Sequence, residues 1–465
     1  MGIICSSQPT TVDAINSQYY LNKVLRRVNG NSDCQRSLTF KKDLHTLITP
    51  SPAFHLKPEG YEIEVNANGI FISYADYSGY VYALESLSQL IKQNRIPFVK
   101  IQDQPLLEYR GIMIDSARHF LGVAAIKRLI ESMPLSKLNI LHWHLVDDES
   151  FPIKLGSHPE LSENSRYGAK QIYTPDDVRA LIKVADLNAV KIIPEIDTPA
   201  HVRSWGLAPE WKAKNITIKC NGGTGYNGQF DLSKPEVFGL AQDVVKEIDA
   251  LFKDSPYIHL GGDEVSSACW NLRPEIQNFM KLKNIKTYGE LQMYWRFQLK
   301  QVLPANRKVI FWRNDAQNVT TSADDVLHYW GAQTDGQGNL WLNGTQGTYS
   351  VWRQIYENFV VFPTGVDKNR ILGAEVCLWG EVSNEDTLEN NLWMRSSAFA
   401  GRVWSSTILK THELVGNLVA IQYALYDMNV DASPVTSEFC EHKPEMCWPP
   451  AQAEQKKEEA IVTEV

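Results

Sequence analysis

Tyr257-Ile-His-Leu-Gly-Gly-Asp-Glu264 is the stretch on which the fold turns. A short apolar run stops at two glycines and two carboxylates, and related runs occur on both sides of it. Tyr109-Arg-Gly-Ile-Met-Ile-Asp115, Asn139-Ile-Leu-His-Trp-His-Leu-Val-Asp147 and Ala189-Val-Lys-Ile-Ile-Pro-Glu-Ile-Asp197 come before. Lys308-Val-Ile-Phe-Trp312, Asp325-Val-Leu-His-Tyr-Trp330 and Ile371-Leu-Gly-Ala-Glu-Val-Cys-Leu-Trp-Gly-Glu381 come after. Helical spacing fills the intervals, as at Ile126, Leu129, Ile130 and Met133. Strands that are apolar almost throughout and alternate with helices belong to a parallel sheet buried on both faces. The polar residues collect at the carboxyl ends, which in a (β/α)8 barrel form the face that carries chemistry. Seven such strands are legible, one short of a closed barrel.

Upstream of these strands the pattern changes. Tyr61-Glu-Ile-Glu-Val65 alternates with period two, Gly69-Ile-Phe-Ile-Ser73 follows a glycine turn, and Val81 to Lys92 has helical apolar spacing. The expected organisation is a small α/β domain over 1–105, the barrel over 106–448, and a solvated Lys/Glu tail over 449–465.

Composition bounds the function. Of 465 residues, 43% are hydrophobic and 22% charged, ordinary globular values that exclude a mainly disordered or fibrous chain. No apolar run approaches the roughly 18 residues of a membrane helix. A net charge of -8 argues against nucleic acid as a partner, since a phosphate-backbone binder carries a basic face. The aromatic content, 13 Trp, 19 Tyr and 16 Phe, suits either sugar-stacking walls or an aromatic core. The 7 cysteines make an odd count; Cys440 and Cys447 are near enough to staple a terminal loop, and Cys220 with Cys269 would close a longer one. Three acceptor sequons, at Asn215, Asn318 and Asn343, join the cysteines in pointing to a secreted or lysosomal location. The N-terminus shows no signal-peptide core. It fits the permissive myristoylation pattern, with Gly2 as acceptor, Cys5 beside it and Ser6 in place, and a truncated start is the preferred reading.

Five groups of residues carry chemistry. Two glycines let the backbone bend so that Asp263 and Glu264 both address the barrel mouth. Adjacent carboxylates repel, which separates their pKa values and leaves one ionised while the other holds a proton. Glycosidic cleavage needs that division, although acids at a helix start are also common. Asp197-Thr-Pro-Ala-His201 pairs a carboxylate with a histidine that reads as a base, a ligand or a structural pair. His142-Trp-His144 with Asp147 and Asp148 has the look of a metal-binding H-x-H, but it sits on the second strand with no lysine bridge, and no metal is expected. Arg118 follows the first strand and suits sugar hydroxyls or a pairing with Asp115. Trp312, Trp330 and Trp379 each close a different strand, as pocket walls would.

With these motifs in order, the chain resembles the β-N-acetylhexosaminidases of glycoside hydrolase family 20, of the lysosomal hexosaminidase type, from about Gly60 to Trp448. The resemblance implies a small domain before a TIM-type barrel, and hydrolysis of terminal non-reducing β-linked N-acetylhexosamine. It makes Glu264 the general acid/base and Asp263 the carboxylate that orients the 2-acetamido group, whose carbonyl oxygen is the nucleophile. Asp147 and His201 match a relay behind Glu264; Arg118 and Glu381 match the groups that grip the sugar hydroxyls. Trp312, Trp330 and Trp379 match the indoles around the acetamido methyl and ring. Cys220–Cys269 and Cys440–Cys447 sit where the family forms disulfides. No cofactor is implied, N-acetylhexosamine-containing oligosaccharides or glycoconjugates are the partners, and a homodimer is the expected assembly.

One interval departs from the family. The strand between those ending at Trp330 and Trp379 should close with a tyrosine that hydrogen-bonds the acetamido carbonyl. Here Trp330-Gly-Ala-Gln-Thr-Asp-Gly-Gln-Gly-Asn-Leu-Trp341 is roughly twenty residues short, about one barrel strand with part of its helix. The seventh strand is therefore expected to be shortened or missing, with Asp335 the surviving sugar contact. The alternative function is a catalytically weak or inactive carbohydrate-binding homologue.

Overall fold

The computed structural model describes residues 20, 23–24, 48–91, 96–220, 228–313, 325–329, 352–359 and 368–447. Four strands, β1 (Ile48–Pro52), β2 (Tyr61–Asn66), β3 (Gly69–Tyr74) and β4 (Val99–Asp103), form a sheet in the order β1-β3-β2-β4. The alternation read in β2 is what the sheet uses: Tyr61, Ile63 and Val65 are buried while Glu64 faces solvent. Helix α1 (Tyr77–Leu90) starts where Asp76 accepts the Gly79 N–H at 2.9 Å, and lays Val81, Leu84 and Leu87 against Ile63 and Ile72.

Charged pairs under aromatic cover fasten this sheet to the amino ends of the barrel strands. Arg110, fully enclosed, donates to Glu59 at 2.7 and 3.0 Å. Lys137 lies 2.7 Å from Asp103 and 4.4 Å from the centre of the Trp404 ring, whose Nε1 donates to Asp103 at 2.9 Å. Burial works against a charge on Asp103, but Lys137 and the hydrogen bonds outweigh it and hold the carboxyl below its usual range.

The second sheet is all parallel. Its strands are β5 (Tyr109–Asp115), β6 (Ile140–His144), β7 (Lys191–Glu195), β10 (Tyr257–His259), β11 (Lys308–Arg313), β12 (Val326–Tyr329) and β13 (Gly373–Leu378). The hairpin β8 (Thr217–Lys219) and β9 (Gly228–Phe230) stands apart from it. Between the strands run α2 (Val123–Ser132), α3 (Pro175–Leu187), α4 (Pro235–Leu251) and α5 (Tyr288–Lys300), and α6 (Glu385–Trp404) follows the last strand. Sequence chemistry places the helix starts. Thr174 and Asp177 form a capping box, with Pro175 in the first turn where its missing N–H costs nothing.

Strand order is β12-β11-β10-β7-β6-β5-β13, so the last strand returns to the first, with Gly373 opposite Tyr109 and Leu378 opposite Ile114. This is the TIM-type arrangement, curled from the sixth strand round to the eighth. Among the described residues no strand stands between β12 and β13, the place of the seventh. Trp330, Asp335, Asn318 and Asn343 lie outside the described residues, as do Cys5 and Cys34. Tyr356, downstream of the short interval, packs outside the barrel, where its hydroxyl accepts the Leu409 N–H at 2.8 Å.

Inside the sheet, Tyr109, Ile140, Ile193 and Ile310 make an apolar floor, and Met113, Trp312 and Cys377 pack beneath Trp379 nearer the mouth. Between these layers sit His142, Glu195, His259, His328 and Glu375, all buried. The two disulfides implied by the resemblance are present, Cys220–Cys269 and Cys440–Cys447, and Cys377 is a buried thiol.

Candidate active site

The mouth is assembled from strand ends. After β10 the backbone takes a run of left-handed conformations, Gly261 at φ 61°, Gly262 at φ 99° and Glu264 at φ 50°. A β-carbon on Gly261 would lie 1.8 Å from Asp197 Oδ1, so only glycine lets the two strand ends approach this closely. The turn puts Asp263 inward, 7% exposed, and leaves the Glu264 side chain 46% exposed.

His201, also left-handed at φ 59°, reaches Glu264 with Nε2 at 3.4 Å from Oε2. Its other nitrogen, Nδ1, is 3.1 Å from Asp147 Oδ1. Asp147 Oδ2 in turn lies 2.8 Å from Arg118 Nη2 and 2.8 Å from His144 Nε2. Burial opposes the imidazolium at His201, but Asp147 and Asp197 outweigh it and raise the proton affinity well above the ordinary value. Burial likewise opposes the Asp147 charge, and Arg118 and His201 hold it well down. A cationic His201 beside Glu264, backed by an ionised Asp147, is the geometry of a proton relay.

Asp263 belongs to a second pair. Asp197 accepts the Gly262 N–H at 2.8 Å and faces Asp263; burial raises both carboxyls, each further raised by a neighbouring carboxylate, Asp263 for Asp197 and Glu264 for Asp263. Asp197 is raised well above its ordinary value, and Asp263 is the member of the pair turned to the mouth. Asp148 is pushed up to about 6 by burial and by Asp147, and accepts the N–H groups of Arg203 and Gly228 at 2.8 and 2.9 Å. It shapes the loop.

Arg118 spans the mouth, bound at 3.1 Å to Asp115 and at 3.3 Å to Glu149 as well as to Asp147. Its guanidinium lies 5.2 Å from the centre of the half-buried Trp379 ring. Glu381 is exposed at the rim and adds to the acidic field that keeps Arg118 charged against its burial. Trp312 closes β11 but is only 1% exposed; it stacks on His328 at 4.0 Å, lies 5.9 Å from Trp379, and donates its Nε1 to Glu195. Arg118, Asp147, His201, Asp263, Glu264 and Trp379 thus meet at one place, with Trp312 underneath and Glu381 outside.

Sequence reading passed over Glu195, Glu375 and the inward role of the H-x-H pair. A signal was present: His142 and His144 are two apart, as are Ile193 and Glu195, so each pair faces one side of its strand. His142 donates from Nδ1 to Glu375 at 2.7 Å and His144 from Nδ1 to Glu195 at 2.8 Å. Metal-ligand composition occurs here, as His142, Glu195 and His259. The His142 and His259 rings are stacked at 4.6 Å with 22° between planes.

A strand-end acid pair, a histidine–aspartate relay and an arginine over an indole define a carbohydrate-cleaving barrel. The pattern described as Glycosyl hydrolase family 20, catalytic domain, matches residues 107–359 and 343–407, and that family's domain 2 matches 8–104. The chain belongs to glycosyl hydrolase family 20. It is 30% identical to the beta-hexosaminidase subunit beta of Mus musculus, over 91% of this chain and 80% of that protein. It is also 30% identical to the chitooligosaccharidolytic beta-N-acetylglucosaminidase of Bombyx mori, over 78% of this chain and 70% of that protein. Among solved structures, the Flavobacterium johnsoniae chitobiase superposes with TM-score 0.76 at 26% identity, over 89% of this chain and 68% of that one.

Proposed function

We propose that the chain is a β-N-acetylhexosaminidase that removes terminal non-reducing β-linked N-acetylhexosamine with retention of configuration. The observation that carries this is the pair of carboxylates at one strand end, each with a different support: Glu264 against His201, which Asp147 backs, and Asp263 beside Asp197, whose proton affinity burial and the Asp263 charge raise. Glu264 protonates the leaving oxygen. Asp263 accepts the N–H of the 2-acetamido group and aims its carbonyl oxygen at the anomeric carbon, and the C–O bond breaks as an oxazolinium ion forms. Glu264, now a carboxylate, takes a proton from water, which attacks the same carbon and reopens the ring. Arg118 and Glu381 hold the hydroxyls at the non-reducing end, and Trp379 and Trp312 support the ring; Trp330 and Asp335 are proposed to complete the pocket. An exposed acid/base with an intact relay has no use in a lectin, which favours turnover over mere binding.

The test is release of 4-nitrophenol from its N-acetyl-β-glucosaminide through the acidic to neutral range. Glu264→Gln should lose about 10²–10⁴-fold in kcat, as removal of a general acid does, and the matching β-glucoside, which lacks the acetamido group, should not turn over. Turnover unaffected by Glu264→Gln would remove the assignment. The two disulfides support a secretory or lysosomal route. The relatives' description as subunits supports assembly, for which a homodimer is proposed.

A further inference from the structure

Below the mouth, acids and imidazoles alternate at 2.5–3.4 Å from one another from the barrel floor to Glu264. Tyr109 donates its hydroxyl to Glu375 at 2.5 Å, and Glu375 accepts from His142 Nδ1 at 2.7 Å. His142 Nε2 is 2.8 Å from Glu195 Oε2, and the same oxygen is 2.8 Å from His144 Nδ1. His144 Nε2 lies 2.8 Å from Asp147, which continues to His201 and Glu264. His142, His144, Glu195 and Glu375 are all within 1% of complete burial.

We propose that Glu195, clasped between His142 and His144, is a positioning residue whose negative charge maintains this alternation and thereby sets the proton affinity of Glu264. The inference deepens the proposed function and rests on the role of Glu264 given there.

The physical reason is that a buried charge without a partner is strongly disfavoured, so each proton in the series depends on its neighbours. Burial disfavours charge on His142, but Glu375 and Glu195 overcome it and carry its pKa up to about 9. His144 behaves alike between Glu195 and Asp147, with Asp115 adding to the pull and the Arg118 guanidinium, 3.4 Å from Nε2, opposing it. Glu195 also faces His259 at 3.3 Å and the Trp312 Nε1, with Asp197, Asp263, His328 and Cys377 more remote. His259 and His328 stay neutral, pushed down by burial, and bond to each other at 3.2 Å.

Glu195→Gln keeps the shape and an oxygen for Trp312 but removes the anion between two cations. The interior then cannot keep both His142 and His144 protonated. Loss of the His144 proton leaves Asp147 to Arg118 and His201, and a firmer imidazolium at His201 favours the Glu264 carboxylate. The proton lost from His144 offsets the negative charge removed, so the change reaches Glu264 through His201. Glu264 therefore gives up its proton at lower pH.

The experiment is kcat/KM against pH for wild type, Glu195→Gln and Ile193→Ala, the last an apolar lesion in the same interior. The alkaline limb of Glu195→Gln should move down by about one pH unit, a difference of about tenfold in proton affinity, while Ile193→Ala loses thermal stability with its limb in place. An unmoved limb in Glu195→Gln, or an equal movement in Ile193→Ala, overturns the proposal. If Glu195→Gln does not fold, Glu375→Gln removes the anion beyond His142 and should give a smaller shift of the same sign, its absence counting against the proposal. Lack of turnover by the wild type would be a failure of the functional reading alone. In that event, imidazole ¹⁵N titration of His144 and His201 in wild type and Glu195→Gln decides: altered titration supports the series, and unaltered titration overturns it.

Discussion

Glu264 is held in a left-handed conformation, which costs an ordinary side chain roughly 1–2 kcal/mol. The two preceding glycines and the Asp197 contact hold it there, which is why it faces His201 and not the barrel wall. Gly261→Ala should therefore fail at two levels: a β-carbon would collide with Asp197, and the 61° φ is disfavoured for alanine. We expect at least about a hundredfold loss of kcat/KM on the nitrophenyl substrate, since an error of about 1 Å in catalytic placement costs that much, with a lowered Tm. Gly239→Ala, in α4 with open space around it, should stabilise the protein by about 0.5–1 kcal/mol in thermal unfolding. At this scale the sequence was legible in part. Two glycines before two acids announced a turned strand end. The approach of Asp197 to the Gly261–Asp263 turn was not visible, because the Gly262–Asp197 contact spans 65 residues of chain that local spacing does not encode.

Among the elements, the seven parallel strands were readable from their apolar runs, and the small sheet from its alternation. What those runs concealed was the parity of their polar members. His142 and His144 looked like a motif at the end of a strand, yet they and Glu195 point into the barrel, where a continuous apolar pattern suggests only packing. The joint between the two sheets was equally hidden, because Arg110 and Glu59 are 51 residues apart and Glu59 lies in no recognisable motif. Arg110 is enclosed, so its loss should be severe: Arg110→Met leaves Glu59 facing an apolar surface and should cost about 3–5 kcal/mol, as breaking one half of a buried pair does. Chemical denaturation reads this directly. Arg110→Met/Glu59→Leu should recover a good part of that loss, because the uncompensated charge is then gone.

For the molecule as a whole, the interior chemistry sets a preferred pH. His142, His144 and His201 have raised pKa values in the folded state. Their contribution to stability is complete below about pH 6.5, the unfolded value, and fades as pH rises through the folded values, which for His142 is about 9. Asp148, raised to about 6, also favours the acidic side. Asp147, Glu195 and Glu375 are lowered, so their contribution is lost only as pH falls below about 4. The Tm should thus peak in mildly acidic solution and decline steadily from about pH 6.5 to 9, a profile that thermal melts across buffers would show. A Tm that rises over that interval would contradict the charge states given to the three histidines.

The pairing of β13 with β5 also has a consequence in time. Asp115 and Gly380, joined across that seam, stand 265 residues apart. At roughly 5–20 residues per second of synthesis, the first barrel strand waits about 13–50 s for its neighbour to leave the ribosome. Through that interval its edge is an open template for the wrong partner, another nascent chain included. Arg118, which hangs from this first strand, reaches its final surroundings only when the last strand arrives, so its side of the mouth is the last part of the nascent chain to form.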